Sequence, residues 1–261
     1  ACAQQAFRLQ TQPASQRRIP TFGMILRLFV DQVANDPSRV TGNRRTSTVR
    51  VIAIDGPAGS GKSTVGRRLA ERLGLTYLDT GAMYRCIAFA AIRRQIDPAD
   101  PDPVGRLAAT VEMSVVDGVV TVDGVDATLE IRGPEVSRAV SMVASNPAVR
   151  EQLRARQRSW ATEHGGGVIE GRDIGSVVFP DAILKVFLTA SPEVRAQRRA
   201  KEMTDLEYDQ VAADIARRDA ADRGRADSPL VEADGAVSID TSTIEIDEVV
   251  ELLAALVESR S

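Results

Sequence analysis

Apolar positions along this chain follow two rhythms. Short continuous runs read as buried strands: Val51–Ile54, Leu75–Asp79, Val168–Glu170, Ala182–Thr189 and Val237–Asp240. Between them apolar residues recur at helical spacing, as in Val65, Leu69 and Leu73, in Ile87 and Ala91, and in Val149, Leu153 and Trp160. Gly74 stands where a C′ glycine ends the first helix, and a last helix spans Val249–Val257. Five strands alternating with helices predict an α/β fold, a five-stranded parallel sheet with helices on both faces.

One stretch departs from this rhythm. Asp97-Pro98, Pro101 and Pro103 break the helical pattern, and Val111–Val116, Val119–Val122 and a run from Val125 are β-like. Asp117-Gly118 and Asp123-Gly124 are hairpin dipeptides joining them, so a small antiparallel meander is expected within an α/β insert at 97–147. Gly133–Ser145 looks helical, and Asn146-Pro147 supplies an N-cap and first-turn proline for the next helix. Ser191-Pro192-Glu193 does the same after the fourth strand, and Thr204-x-x-Glu207 has the spacing of a capping box.

The 261 residues suffice for one large domain or a core with a small insert, and 43% apolar with 26% charged residues describes an ordinary globular protein. No apolar run reaches the ~18 residues of a membrane span. Cys2 and Cys86 make neither a disulfide framework nor a metal-ligand spacing. His164, the single histidine, precedes three glycines and reads as a loop residue, which excludes a histidine triad or zinc site. The net charge of −3 conceals an asymmetry, because residues 1–48 carry Arg8, Arg17, Arg18, Arg27, Arg39, Arg44 and Arg45 against Asp31 and Asp36. This polar, weakly periodic segment reads as a mobile basic arm ahead of a domain at 49–258. A solvated tail, upstream sequence the domain does not need (Met24 or a later codon being the start), and an Arg-rich transit peptide all fit it.

Within Val51–Thr64, Gly56-Pro57-Ala58-Gly59-Ser60-Gly61-Lys62-Ser63 satisfies G-x-x-x-x-G-K-[ST] between an apolar strand and an amphipathic helix. This P-loop cradles phosphates. Backbone N–H groups converge on them where glycines permit, and the helix beginning near Lys62 adds partial positive charge. Lys62 contributes a compact cation, and the Ser63 hydroxyl is placed to ligate Mg²⁺. Gly56–Thr64 is therefore the expected segment for binding a nucleoside triphosphate.

No N-K-x-D segment is present to read guanine, and no longer apolar strand ends in the Asp-Glu of a motor or recombinase ATPase. Arginines stand near strand ends instead: Arg85, Arg150, Arg172, Arg218 and Arg225. A phosphoryl acceptor that is itself a phosphate needs such clamps, because transfer brings two anions together. Each arginine taken alone is equally well a solvated helix residue.

Three blocks carry a family resemblance. Ile54-Asp55-Gly56-Pro57-Ala58-Gly59-Ser60-Gly61-Lys62-Ser63-Thr64, Leu78-Asp79-Thr80-Gly81-Ala82-Met83-Tyr84-Arg85 and Glu170-Gly171-Arg172-Asp173-Ile174-Gly175-Ser176-Val177-Val178-Phe179-Pro180 together resemble bacterial cytidylate kinases. The likeness continues through Arg218-x-x-x-Asp222-x-x-Arg225 and covers about 50–258. It implies the P-loop nucleoside monophosphate kinase fold, with 97–147 as the monophosphate-binding insert and a short lid within 191–228. It also implies transfer of phosphate from ATP to CMP or dCMP with Mg²⁺, in a cytoplasmic monomer that binds neither nucleic acid nor membrane.

By that resemblance Thr80 and Arg85 meet the acceptor phosphate, and Ser141, Arg150 and Asp173 read cytosine. Arg172, Arg218 and Arg225 contact phosphates, Asp222 contacts the ribose, and Lys62, Arg172 and Arg218 form the catalytic set. The family more often has Ser where this chain has Thr80; the hydroxyl is kept. Glu170 holds Mg²⁺ through water or, equally, is a structural carboxylate pairing an arginine. Two other readings are distinguishable: a kinase for another small acceptor such as UMP, AMP or shikimate, and a nucleotide-gated binding protein that uses the arm.

Overall fold

The computed structural model describes residues 49–116, 118–202 and 207–260. The basic arm, Asp117 and Thr204 lie outside them, and with these residues the expectations for the arm, the first hairpin dipeptide and the capping box. Glu207 is the N-cap residue of the helix that follows it and makes no side-chain cap.

The main sheet consists of β1 (Arg50–Asp55), β2 (Tyr77–Asp79), β6 (Gly166–Gly171), β7 (Leu184–Thr189) and β8 (Val237–Asp240), all parallel, in the order β2-β6-β1-β7-β8. Its five strands fall where the apolar runs put them. β1 alternates strictly. Val51 and Ala53 enter one core, whereas Ile52 and Ile54 enter the other. Helices cover both faces, so β1 is apolar on both and reads as a continuous run.

On one face lie α1 (Lys62–Leu73) and α8 (Ile246–Glu258), packing Val65, Leu69, Val250 and Leu253 against the sheet. On the other lie α2 (Thr80–Arg93), α3 (Pro101–Thr110), α4 (Pro134–Ser145) and α5 (Pro147–Glu163). Asn146 Oδ1 accepts the Ala148 N–H and Pro147 opens α5, as the dipeptide required. The helix α3 was not expected. Pro101 sits in its first turn, where a missing N–H costs nothing, so the proline cluster that ends one helix begins another.

A second sheet, β3 (Met113–Val116), β4 (Val119–Val122) and β5 (Val125–Asp126), is the antiparallel meander. Asp123 and Gly124 both have positive φ, 49° and 76°, the geometry of the two-residue turn that an Asp-Gly pair favours. Its buried Val120 and Val122 join the core under α2. Two further helices, α6 (Pro192–Glu202) and α7 (Tyr208–Arg223), share a small separate cluster of Ala196, Val211 and Ile215. Ser191 Oγ accepts the Val194 N–H and so caps α6.

Registers Asp55↔Gly171 and Asp79↔Glu170 bring the carboxyl ends of β1, β2 and β6 to one edge. The chain crosses from β6 past β1 to β7, making β1 the point where strand order reverses. Parallel sheets bind ligands there.

Candidate active site

The P-loop leaves β1 at Asp55 and enters α1 at Lys62. Gly56 has φ 149°, and a Cβ there would stand 1.9 Å from the Leu188 carbonyl oxygen. Its glycine is demanded by the neighbouring strand. Gly59 has φ 76°, and its Cβ would press on the Arg195 backbone at 2.9 Å. Gly61, also at positive φ, is the N-cap of α1 without a side-chain cap, which leaves first-turn N–H groups directed at the loop. Lys62 is buried and its Nζ donates to Pro57 O at 2.7 Å. Burial and the nearby Arg172 lower its pKa to about 7, against the attraction of Glu170 and Asp55.

A cleft of about 400 Å³ opens over this loop, lined by Ala58 to Val65 together with Arg85, Glu170, Arg172, Arg199 and Arg218. Arg85 Nη1 donates to Ile131 O and to Ser137 Oγ, both at 2.9 Å. Arg218 reaches the same residue from α7, its Nη2 donating to Ser137 O at 2.9 Å, while its Nε stands 2.8 Å from Asp214. Burial lowers the Arg85 pKa to about 10, and Arg218 and Arg199 push it the same way. Burial also lowers Arg218, opposed by Asp214 and assisted by Arg199. Cations that depress one another in a cleft are the mark of a place for an anion.

Arg172 Nε donates to Asp222 Oδ2 at 2.9 Å, and Arg225 hydrogen-bonds the other oxygen of the same carboxylate. Burial works against the charge on Asp222, but Arg172 and Arg225 outweigh it and hold the carboxyl below its usual range. Asp222 thus aligns two of the arginines assigned to phosphate.

Thr80 and Ser141 are placed differently from the cleft arginines. Thr80 is 2% exposed and its Oγ1 donates to Glu170 O at 2.7 Å, so the hydroxyl braces β6 against α2. Ser141 is half-buried on α4 and is not among the residues that line the cleft. Arg150 and Asp173 form a buried pair, Nη2 to Oδ2 at 2.6 Å, with side-chain exposures of 1% and 7%. Arg150 Nη1 also donates to Ala144 O at 3.2 Å. Nearby, a shallow hollow lined by Ser145, Pro147, Arg225 and Asp227 opens between α5 and the end of α7.

Sequence reasoning missed three supports. Asp55, the buried charge of β1, accepts the N–H of Ile174 at 2.9 Å and of Gly175 at 2.7 Å. It thereby anchors the single π-helical turn Ile174–Val178 that follows Asp173. Its position at the end of an apolar run was a usable signal. Tyr77 Oη donates to Glu170 Oε1 at 2.6 Å, fixing that carboxylate's orientation. Arg154 binds Asp227 at 2.9 Å, which in turn stands 3.8 Å from Arg150 Nε. Neither of these two pairings has a local sequence signature.

The family of sequences described as cytidylate kinase matches residues 52–259, the whole of this α/β fold. The chain belongs to the cytidylate kinase family. The cytidylate kinase of Pelotomaculum thermopropionicum is 50% identical over 218 residues, covering 80% of this chain and 96% of that protein. That of Mycobacterium avium is 50% identical over 220 residues, covering 81% and 96%. That of Streptomyces avermitilis is 44% identical over 226 residues, covering 84% and 97%. Family membership makes the chain a phosphotransferase, and no helix among the described residues is long and apolar enough to cross a membrane.

Proposed function

We propose that this chain transfers the γ-phosphoryl group of ATP to CMP or dCMP, giving ADP and CDP or dCDP. The observation that carries the acceptor assignment is the Arg150–Asp173 pair. A buried arginine and carboxylate side by side present a donor for cytosine N3 and O2 and an acceptor for its N4 amino group. Uracil, with O4 and an N3–H, reverses both demands, and a buried polar group left unpaired is what makes such a site selective.

The triphosphate lies along Gly56–Thr64, with its charge met by P-loop N–H groups, the α1 terminus and Lys62. Arg85, Arg172 and Arg225 hold the acceptor phosphate in line. Arg218 stands over the transferring group from α7, and α6 and α7 together form the lid that excludes water. The 97–147 segment supplies the acceptor wall through Arg132, which lines the cleft, and Ser137, which receives Arg85 and Arg218. An oxygen of the CMP phosphate, dianionic near neutral pH, attacks the γ-phosphorus as the bond to the ADP oxygen breaks, so no general base is required. Catalysis is then positioning plus charge neutralisation.

Glu170 bears on the metal. Its Oε1 is taken by Tyr77, and its Oε2 is buried beside the P-loop with no hydrogen-bond partner among the described residues. Burial, reinforced by Asp79, raises its pKa, whereas Lys62, Tyr77 and Ser63 favour the charged form. One hydroxyl and one carboxylate suit Mg²⁺, which keeps several waters and takes its other ligands from phosphates. Ser63 would bind it directly and Glu170 through water, and the ion would neutralise β- and γ-oxygens.

An acceptor panel of CMP, dCMP, UMP, AMP and GMP with ATP and Mg²⁺, read by coupled ADP release, tests this. CMP and dCMP are expected to be the best acceptors, and a better turnover with any other monophosphate overturns the assignment.

A further inference from the structure

Arg195 belongs to none of the groups placed on substrate, yet it is among the most heavily bonded arginines of the fold. It is 6% exposed. Its Nε donates to Ala190 O at 3.1 Å, just past the end of β7. Its Nη1 donates to Ala58 O at 3.1 Å, in the P-loop, and to Asp219 Oδ2 at 2.6 Å, on α7. The same helical turn carries its backbone against the P-loop, since any Cβ on Gly59 would meet Arg195 O at 2.9 Å.

Asp219 is equally buried, at 4%, and among the described residues its Oδ1 has no hydrogen-bond partner. It follows Arg218 directly and precedes Asp222 by one turn of α7. Among the described residues the apolar contact between α6 and α7 consists of Ala196, Val211 and Ile215 with Ala200 and Ala212 beside them. The link from the P-loop to α7 is polar, because Arg195 binds Ala58 O and Asp219 at once. A buried ion pair is a costly way to secure stability, but its geometry is specific.

We propose that Arg195 and Asp219 are positioning residues that couple the donor site to the acceptor site. The Ala58 carbonyl cannot shift when the P-loop closes on a triphosphate without shifting the guanidinium that holds Asp219. Movement of Asp219 carries Arg218, which faces the cleft, and Asp222, which aligns Arg172 and Arg225. The inference rests on the assignment of ATP to the P-loop and CMP to the arginine cluster. Its consequence is reciprocal: donor and acceptor each tighten the binding of the other by the same factor.

The test is calorimetric titration of CMP into the full chain, with and without saturating β,γ-methylene ATP and Mg²⁺. Two variants are compared with the wild type. Arg195→Met/Asp219→Leu replaces the pair by apolar groups and strands no charge. Arg195→Lys keeps a charge opposite Asp219, but a single ammonium does not span Ala58 O, Ala190 O and Asp219 as the guanidinium fork does. The wild type is expected to bind CMP at least fivefold more tightly with the analogue present, within the usual range of coupling. In both variants that factor is expected to fall below twofold, while the Kd for either nucleotide alone stays within threefold of wild type. A purely structural role would weaken binary binding or lower the Tm and leave the ratio intact. Coupling retained in whichever variant folds, or absent from the wild type, overturns the inference. A wild type that does not bind CMP overturns the functional reading instead.

Discussion

Arg150 Nη2 and Asp173 Oδ2 meet at 2.6 Å in a site from which solvent is almost wholly excluded. The two residues come from α5 and from the loop after β6, 23 positions apart. Each satisfies the other's charge, so the pair is both a piece of the fold and, in the proposed function, the reader of the base. Asp173→Asn should therefore act on selectivity first. The preference for CMP over UMP in kcat/KM is expected to shrink by ~1–3 kcal/mol, the scale of one base-edge interaction. Unchanged discrimination would remove Asp173 from the pocket.

Lys62 gives a prediction in protons. Its pKa of about 7 means that part of the population is neutral at pH 7.5. A triphosphate favours the charged ammonium and raises that pKa, so ATP binding should take up protons. Calorimetry at pH 7.5 in buffers of different ionisation enthalpy should show uptake of a fraction of a proton, absent in Lys62→Ala. The same variant should lose turnover by on the order of a thousandfold with the fold retained.

Asp55 contributes to the pH dependence of stability. Burial raises its pKa from 3.8 to about 6; the Gly175 and Ile174 N–H groups pull it back only partly, and Asp173 pushes it up. Between those two values the folded chain binds more protons than the unfolded one, so this group's contribution is greatest below pH 4. It declines as pH rises through about 6. Thermal melts of the wild type and Asp55→Asn should show a Tm difference, wild type minus variant, that falls from pH 4 to 6 and then levels. A flat difference would mean that Asp55 titrates normally.

Gly56 and Gly74 separate two reasons for glycine. An alanine at Gly56 would meet Leu188 O at 1.9 Å, whereas no atom of the described residues lies within 4 Å at Gly74, where the φ of 64° is what matters. Gly56→Ala is expected to lose about 2–4 kcal/mol in urea unfolding, and Gly74→Ala about 1 kcal/mol. Equal losses would show that close approach to β7 is not the constraint on the P-loop.

Much of this was legible along the chain. Five apolar runs became the five strands, the P-loop fell between β1 and α1, and Asn146-Pro147 opened a helix, because strand period, glycine and capping act over a few residues. The prolines at 101 and 103 misled, since proline ends a helix and also starts one, and only packing under α2 shows which. Thr80 was placed on the acceptor phosphate by resemblance; its hydroxyl spends its hydrogen on the Glu170 carbonyl, a contact across 90 positions.

Local order alone determined the α/β alternation, the phosphate-binding loop and the arginine-rich segments around it. Tertiary structure decided which arginines share a cleft, that Ser137 receives both Arg85 and Arg218, and that Asp222 serves two arginines at once. It also set the carboxylates apart: Asp222 is drawn below its usual range and Asp55 lifted above it. The physical reason is range. Periodicity and capping are written within one helical turn, whereas burial and the pairing of charges depend on strands and helices that meet only when the sheet closes.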